Sequence, residues 1–216
     1  GLKPLPIQSQ AAPVLLDGNS AMLISRTGSG KTLAYLLPIL SRINPAIAGV
    51  QAVVLAPTHE LAMQIYRVAT ELIREAGLPI RAQSLIGGAA SARQVEGLKK
   101  KPHLVVGSAG RLVHLMDLGK LKLRETSWLV FDEADRLLIE EGMEYIRRIT
   151  GDVGPETHFV FVSATEGPAS SRFAKSIAPN LVTVKVQEER ISPSIRHLYL
   201  LCDERDKIDW VRKAVR

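Results

Sequence analysis

The residues best suited to chemistry form the octapeptide SRTGSGKT at positions 25–32. An apolar run precedes it and another follows it, which predicts a turn between a buried strand and the N-terminus of a helix. Backbone N–H groups and the helix dipole at such a turn favour a bound anion. Lys31 would contact the β- and γ-phosphates of a nucleotide and Thr32 would bind Mg²⁺, although Ser25 stands where this pattern usually begins with glycine. The alternative is a flexible Gly/Ser turn that binds nothing.

A second candidate group is the acidic pair Asp132-Glu133, which directly follows the apolar run at positions 128–131. An aspartate at the end of a buried strand can hold the Mg²⁺ of a P-loop NTPase, and an adjacent glutamate can orient the attacking water. An acidic helix N-cap is the alternative, but it does not explain a phosphate-binding loop in the same chain. Together with Lys31 and Thr32, the pair favours an NTPase.

The elements that position these groups alternate between strand and helix. This alternation is typical of an α/β fold with a doubly wound parallel sheet, a three-layer α/β/α arrangement. Ligands of such sheets bind beyond the carboxyl ends of the strands, so we expect the polar groups there to converge. The stretches predicted to be strands are residues 21–24, 51–56, 80–86, 103–106, 128–131, 158–162 and 181–186.

Three helices carry more detailed expectations. Thr58 is predicted to cap a helix over residues 60–75. The apolar face of that helix is predicted to comprise Leu61, Ile65, Val68 and Leu72. A short helix is expected over residues 91–99. An N-terminal helix is expected to reach residue 16, with a kink or break at Pro13. Within it, Gln8 is either a surface residue or, if buried, a donor and acceptor for an adenine edge.

Composition limits the class of protein. The chain has 216 residues, 46% of them hydrophobic, with a formal charge of +6, so a basic surface for a polyanion and a merely basic protein are both open. Cys202 is the only cysteine, which fits a reducing compartment and predicts a cytoplasmic protein. The longest apolar run, residues 33–40, is too short to span a bilayer, so no membrane association is expected.

The composition changes after residue 186. We expect one domain over residues 1–186 and a polar linker over 187–194. A strand at 195–201 and a helix at 207–216 are expected to follow. One strand and one helix cannot bury a core alone, so residues 195–216 are predicted to open a second domain that continues further.

Further motifs extend the pattern to a known family. Residues 132–135 read Asp-Glu-Ala-Asp, and over nearly its whole length the chain resembles the DEAD-box ATP-dependent RNA helicases, of bacterial type. The resemblance implies a RecA-like P-loop NTPase domain, the first of two, with ATP and Mg²⁺ as cofactors. The other stretches similar to family motifs are Pro4 with Ile7-Gln8, residues 25–32, residues 57–62, Gly87-Gly88, residues 108–111 and residues 163–165.

The resemblance also implies roles for individual residues. Lys31, Asp132 and Glu133 would be catalytic, with Glu133 positioning the hydrolytic water. Thr32 would bind Mg²⁺, Asp132 would bind it through water, and Gln8 would recognise adenine. The residues implied to hold the nucleotide are Gln8, Arg26, Thr27, Gly28, Ser29, Gly30, Lys31 and Thr32. Those implied to couple nucleotide state to domain closure are Asp135, Ser163 and Thr165. Those implied to contact the RNA backbone are Pro57, Thr58, His59, Gly88, Ser108, Gly110 and Arg111.

Four positions, in three of the motifs, depart from the family pattern. His59 replaces an arginine and so removes a permanent positive charge. Ser108-Ala109 replaces Thr-Pro, which keeps a hydroxyl but loses the fixed φ of proline. Leu5 replaces a serine or threonine. These changes predict weaker RNA and nucleotide contacts than are usual in the family.

Three hypotheses on function remain. The first is an ATP-dependent RNA helicase that separates strands without reading sequence, because backbone contacts position a strand without specifying it. The second is an ATP-gated RNA clamp or assembly factor with little unwinding, and the third is a P-loop ATPase that acts on DNA or protein. The protein is expected to be a monomer. The family's second domain supplies arginines to the γ-phosphate, so this chain alone is expected to be nearly inactive.

Overall fold

A computed structural model of the chain describes residues 3–88, 91–139, 142–186, 199 and 201–214. The chain divides into two units, Gly1–Val186 and Gln187–Arg216. The elements of the first unit, in chain order, are α1 (Pro6–Leu16), β1 (Ala21–Ile24), α2 (Lys31–Arg42), β2 (Ala52–Leu55), α3 (His59–Glu75), β3 (Ala82–Leu85), α4 (Ser91–Lys99), β4 (Leu104–Gly107), α5 (Ala109–Asp117), β5 (Trp128–Asp132), α6 (Ala134–Leu137), α7 (Met143–Thr150), β6 (His158–Ser163), α8 (Pro168–Ile177) and β7 (Val182–Lys185).

The strands form one parallel sheet of seven, in the order β3-β4-β2-β5-β6-β1-β7. Every residue of β1, β2, β4 and β5 is buried. Near-continuous apolar strands of this kind need cover on both faces. The prediction of a doubly wound, three-layer α/β/α fold is therefore confirmed.

Two apolar clusters cover the two faces of the sheet. Alternate residues of β2 divide between them, with Val54 in one and Val53 in the other. The first cluster joins the sheet to α1, α2 and α3. The second joins it to α5, α6, α7 and α8. In the second cluster the rings of Phe131 and Phe161, adjacent across β5 and β6, stack with centroids 4.7 Å apart.

Pro13 does not break the N-terminal helix, so the expectation of a break is wrong, while a kink at this residue stays a prediction. Helix α1 runs from Pro6 to Leu16 without interruption. Proline removes the hydrogen bond to the carbonyl oxygen four residues earlier. Both Pro13 and Ser9 are exposed, so water can take the place of the missing donor.

Helix α3 buries a different stripe from the one expected. Thr58 caps it as predicted, because its Oγ1 accepts a hydrogen bond from the Leu61 backbone N–H at 3.2 Å. Of the four residues assigned to the inner face, only Ile65 is buried, and the other three lie half-buried at the flank. Small residues let the helix approach the sheet closely, and the buried stripe comprises Ala62, Ile65, Ala69 and Ile73.

The second unit contains a 3₁₀ turn over Glu204–Asp206 and a helix, α9, over Lys207–Ala214. The helix was predicted. The predicted strand at residues 195–201 lies outside the described residues except for Tyr199 and Leu201, and neither of these belongs to a regular element. The assignment of this unit to a second domain stays a prediction.

Candidate nucleotide and nucleic-acid sites

The glycine-rich loop joins β1 to α2, as the sequence predicts. Gly28 and Gly30 have φ angles of +81° and +85°, which side chains with a Cβ rarely adopt. A Cβ on Gly30 would also lie 2.5 Å from Nε2 of Gln8. Glycine at position 30 therefore lets the N-terminal helix approach the loop.

Polar groups of the loop are arranged for an anion. The hydroxyl of Ser29 is buried, and within the described residues it has no hydrogen-bond partner. The Lys31 ammonium donates to the carbonyl oxygens of Ser25 and Arg26, the latter at 2.7 Å. Burial lowers the pKa of Lys31, while the carboxylates led by Asp132 oppose that shift. An unsatisfied hydroxyl and a partly desolvated cation at a helix N-terminus fit a polyphosphate.

Asp132 ends β5 with only 5% of its surface exposed. Its Oδ2 accepts a hydrogen bond from the Tyr35 hydroxyl at 2.8 Å, and its Oδ1 accepts one from the Glu133 backbone N–H at 2.9 Å. Burial raises the pKa of Asp132, and the hydrogen bond from Tyr35 is the largest effect in the opposite direction. A bound divalent cation would supply the positive charge that a buried carboxylate requires.

Glu133 adopts a left-handed conformation, with φ 50° and ψ 53°. This is uncommon for a residue with a side chain and is found at functional sites. Its Oε2 lies 2.7 Å from Nη1 of Arg136, three residues later. The sequence analysis did not identify Arg136.

The three residues implied in coupling are brought together. Thr165 Oγ1 donates to Oδ2 of Asp135 at 3.2 Å. Ser163 Oγ donates to the carbonyl oxygen of Thr165 at 2.7 Å and accepts from its backbone N–H at 3.2 Å. The turn after β6 is thereby tied to the first turn of α6.

One cavity of about 520 Å³ lies between the loop and the acidic strand end. Thr32 and Asp132 offer it a hydroxyl and a carboxylate, oxygen donors of the kind that Mg²⁺ prefers. The described residues contain no cluster of three His, Cys, Asp or Glu side chains suited to a metal, and Mg²⁺ at phosphate sites does not require one. The cavity is lined by Thr27, Gly28, Gly30, Lys31, Thr32, Leu61, Gln64, Asp132, Glu133, Asp135, Arg136, Val162, Ser163 and Ala164.

Gln8 is half-buried and contacts the loop. Its Nε2 donates to the carbonyl oxygen of Gly30 at 3.2 Å, and its Oε1 accepts from the Leu5 backbone N–H at 2.9 Å. One N–H of the amide and one lone pair of its oxygen are therefore used within the chain. The second N–H and the second lone pair remain for an adenine edge.

The residues implied in RNA binding follow β2, β3 and β4, at the other half of the sheet. Nε2 of His59 accepts a hydrogen bond from the Gly87 backbone N–H at 3.2 Å. Gly88 has a φ angle of +74°. Pro57 lies in the loop between β2 and α3, two residues before His59, the first residue of that helix.

A buried glutamine that the sequence analysis missed joins two of these segments. Gln94 of α4 is 7% exposed. Its Oε1 accepts from Nε of Arg111 at 2.9 Å, and its Nε2 donates to the carbonyl oxygen of Ile86 at 2.8 Å. The signal available for Gln94 was a polar residue on the buried side of a short helix that lies between two motifs.

The segment after β4 forms the start of α5. Ser108 is the N-cap of this helix, and its hydroxyl makes no capping hydrogen bond. Gly110 is the second residue of α5. A Cβ on Gly110 would lie 3.6 Å from the ring of Tyr145. The predicted RNA residues therefore share one edge of the sheet, next to the nucleotide residues where β2 pairs with β5.

Comparisons with known proteins agree with this geometry. A family model described as DEAD/DEAH box helicase matches residues 5–171. The chain is 41% identical over 215 residues to the probable ATP-dependent RNA helicase YfmL of Bacillus subtilis, covering 99% of this chain and 57% of that protein. It is 42% identical over 216 residues to the DEAD-box ATP-dependent RNA helicase CshC of Bacillus cereus, covering 100% of this chain and 55% of that protein. The chain thus spans little more than half the length of these relatives.

Solved structures give the same result. A DEAD box protein from Methanococcus jannaschii superimposes with a TM-score of 0.80 at 26% identity, covering 99% of this chain and 57% of that one. Saccharomyces cerevisiae Dbp5 bound to RNA and ADP BeF3 superimposes with a TM-score of 0.76 at 32% identity, covering 86% of this chain and 46% of that one.

Proposed function

Because the chain belongs to the DEAD/DEAH box helicase family, we propose that it is the first RecA-like, nucleotide-binding half of an ATP-dependent RNA helicase. One observation carries the proposal: the ends of β1, β5 and β6, adjacent in the sheet, deliver the loop, the acidic pair and Ser163 to one cavity. The family membership supports ATP as the nucleotide.

The loop residues would bind the phosphates of ATP. Lys31 would exchange the carbonyl oxygens of Ser25 and Arg26 for the β- and γ-phosphates, and Ser29 would gain the partner that its hydroxyl lacks. Thr32 and Asp132 would hold Mg²⁺, which when bound neutralises charge on the phosphate oxygens. Glu133 would orient the attacking water, and its ion pair with Arg136 limits where its carboxylate can point.

The proposed catalytic site is incomplete in this chain. The lining of the cavity includes two cationic side chains, Lys31 and Arg136. Lys31 would contact the γ-phosphate, because Arg136 forms an ion pair with Glu133. A second RecA-like domain would add arginines there, and the loss of such an arginine costs about 10³-fold or more in rate. We therefore expect this chain alone to bind nucleotide and hydrolyse it barely.

RNA would bind along the ends of β2, β3 and β4 through its backbone. The groups offered there are hydroxyls, backbone N–H groups, an imidazole and Arg111, which position a strand without reading bases. Closure of two domains on ATP and RNA would then destabilise a duplex locally.

The protein would act as a monomer in the cytoplasm. Among the described residues, every helix is too short or too polar to cross a bilayer.

The deciding experiment measures ATP turnover by the full-length protein with RNA, with single-stranded DNA and with neither. This chain alone and the full-length Glu133→Gln variant are run beside it. We expect RNA, but not DNA, to stimulate ATP turnover by the full-length protein. The Glu133→Gln variant should show no turnover, and this chain alone should show almost none. Stimulation by DNA, or by neither nucleic acid, would contradict the proposal.

A second assay separates unwinding from clamping. ATP-gated retention of RNA without separation of a short duplex would favour the clamp hypothesis over the helicase.

A further inference from the structure

A buried phenol contacts one of the two side chains that are proposed to hold Mg²⁺. Tyr35 of α2 has no exposed surface. Its hydroxyl donates a hydrogen bond of 2.8 Å to Oδ2 of Asp132, 97 residues further along the chain. The helix that carries Tyr35 begins at Lys31, directly after the glycine-rich loop, so the bond ties the acidic strand end to the loop side of the cavity.

The direction of each hydrogen bond determines which lone pairs stay available. The phenol has one proton, and that proton is used on Asp132. Phenylalanine at this position would have no proton to donate.

Two hydrogen bonds orient the carboxylate of Asp132. One donor holds each oxygen, the Tyr35 hydroxyl on Oδ2 and the Glu133 backbone N–H on Oδ1. Each carboxylate oxygen has two lone pairs, so one lone pair on each remains. Two donors on different elements set the rotation of the carboxylate.

We propose that Tyr35 is a positioning residue for the metal site, whose hydroxyl orients the Asp132 carboxylate so that its remaining oxygen lone pairs face the cation or the water bound to it. The proposal rests on the proposed function, because it requires that Asp132 helps to hold the Mg²⁺ of a bound nucleotide. Tyr35 itself does not touch the nucleotide or the metal. Phenylalanine would fill the same space and leave Oδ2 of Asp132 without its donor.

The test is a fluorescence titration of this chain with mant-ADP in a series of MgCl₂ concentrations and in EDTA. In Tyr35→Phe, the Mg²⁺ concentration that gives half of the gain in affinity is expected to rise about tenfold, as is usual when a partner that orients a metal ligand is lost. The affinity in EDTA is expected to stay unchanged. A purely structural role would weaken both conditions alike.

Tyr66→Phe is the matched control, since it removes the phenol hydroxyl of a half-buried tyrosine in α3. It should leave the Mg²⁺ dependence as in the wild type. If the affinity of Tyr35→Phe for mant-ADP depends on Mg²⁺ as in the wild type, the inference is wrong. A wild-type affinity that rises with Mg²⁺ would still support the nucleotide site in that case. A wild-type chain that does not bind mant-ADP, or binds it without regard to Mg²⁺, overturns the nucleotide site and the inference together.

A measurement on the wild-type chain covers the case in which Tyr35→Phe fails to fold. A buried phenol proton donated to a carboxylate exchanges slowly with water and should give a downfield proton resonance, assigned through ¹³C-labelled tyrosine rings. Adding MgCl₂ to the ADP-loaded chain should shift this resonance. A resonance that does not move on addition of Mg²⁺ overturns the proposal.

Discussion

His59 accepts a hydrogen bond of 3.2 Å from the backbone N–H of Gly87, and this bond joins the first residue of α3 to the loop after β3. The two segments follow β2 and β3, strands that are separated in the sheet by β4. The imidazole is exposed and uses Nε2 as the acceptor. Where an arginine would carry a permanent charge, His59 thus links these two segments.

His59→Arg is expected to strengthen RNA binding by this chain. The substitution adds a permanent charge, which steepens the dependence of log K on log salt concentration by about 0.7 for a single strand. Binding to a fluorescein-labelled single-stranded RNA, measured by anisotropy at several salt concentrations, checks the slope. His59→Gln retains an acceptor for Gly87 without the charge and should leave the slope as it is. Equal slopes in His59→Arg and the wild type would place residue 59 away from the RNA.

Gln94→Ala is expected to weaken RNA binding and to destabilise the fold. The substitution removes the acceptor for Arg111 and the donor to the Ile86 carbonyl. The groups left behind are half-buried, so the cost is that of two lost hydrogen bonds, about 0.5–1.5 kcal/mol each, which denaturant unfolding measures. Gln10→Ala, an exposed position on α1, is the control and should change neither quantity. RNA affinity equal to the wild type in folded Gln94→Ala would show that Arg111 does not need this anchor.

Gly30→Ala is expected to lower stability more than Gly119→Ala does. Both positions have positive φ angles, +85° and +65°, so both substitutions carry the left-handed penalty of about 1 kcal/mol. A Cβ at Gly119 meets nothing within 4 Å, whereas one at Gly30 lies 2.5 Å from Gln8 and 2.8 Å from Leu5. The difference between the two losses in free energy of unfolding therefore measures the cost of displacing Gln8. Equal losses would show that Gln8 moves away at no cost.

The stability of the domain is expected to fall as the pH drops below 6.5, the ordinary pKa of histidine. His103 is fully buried, and burial, followed by the charge of Arg81, lowers its pKa below the ordinary value of 6.5. Its Nδ1 accepts from the Arg81 backbone N–H at 3.1 Å, and its Nε2 lies 2.9 Å from Nη2 of the same arginine. A second proton on the ring would therefore face donors.

The sign follows from linkage. Below pH 6.5 the unfolded chain binds a proton at His103 that the folded chain does not, so folding loses free energy until the pH passes the lowered pKa. Denaturant unfolding at several pH values measures the slope. Burial also lowers the pKa of His158, so that histidine contributes in the same direction. His103→Gln should flatten the slope, whereas His114→Gln, at an exposed position, should not. A slope that His103→Gln leaves unchanged would contradict the assignment.

Short-range features of this protein were readable from the sequence because their physical causes are local. The turn at residues 25–32 follows from its glycines and from the apolar runs on either side, and the cap of α3 follows from Thr58. Near-continuous apolar strands predicted the parallel sheet, since such strands need cover on both faces. The DEAD-box family resemblance was visible from motifs in this order, and the family comparison confirms it.

Tertiary structure alone decided how distant segments combine. The sequence order of the strands does not reveal that β1 lies beside β6, or that β2 separates β4 from β5, because crossover connections permit many arrangements. The bond from Tyr35 to Asp132 spans 97 residues, and Tyr35 looks like any core aromatic until that packing is known. Gln94 likewise gains its role only when α4 brings it to Arg111. Local chemistry determined which residues could act, and the packing of the sheet determined which of them meet.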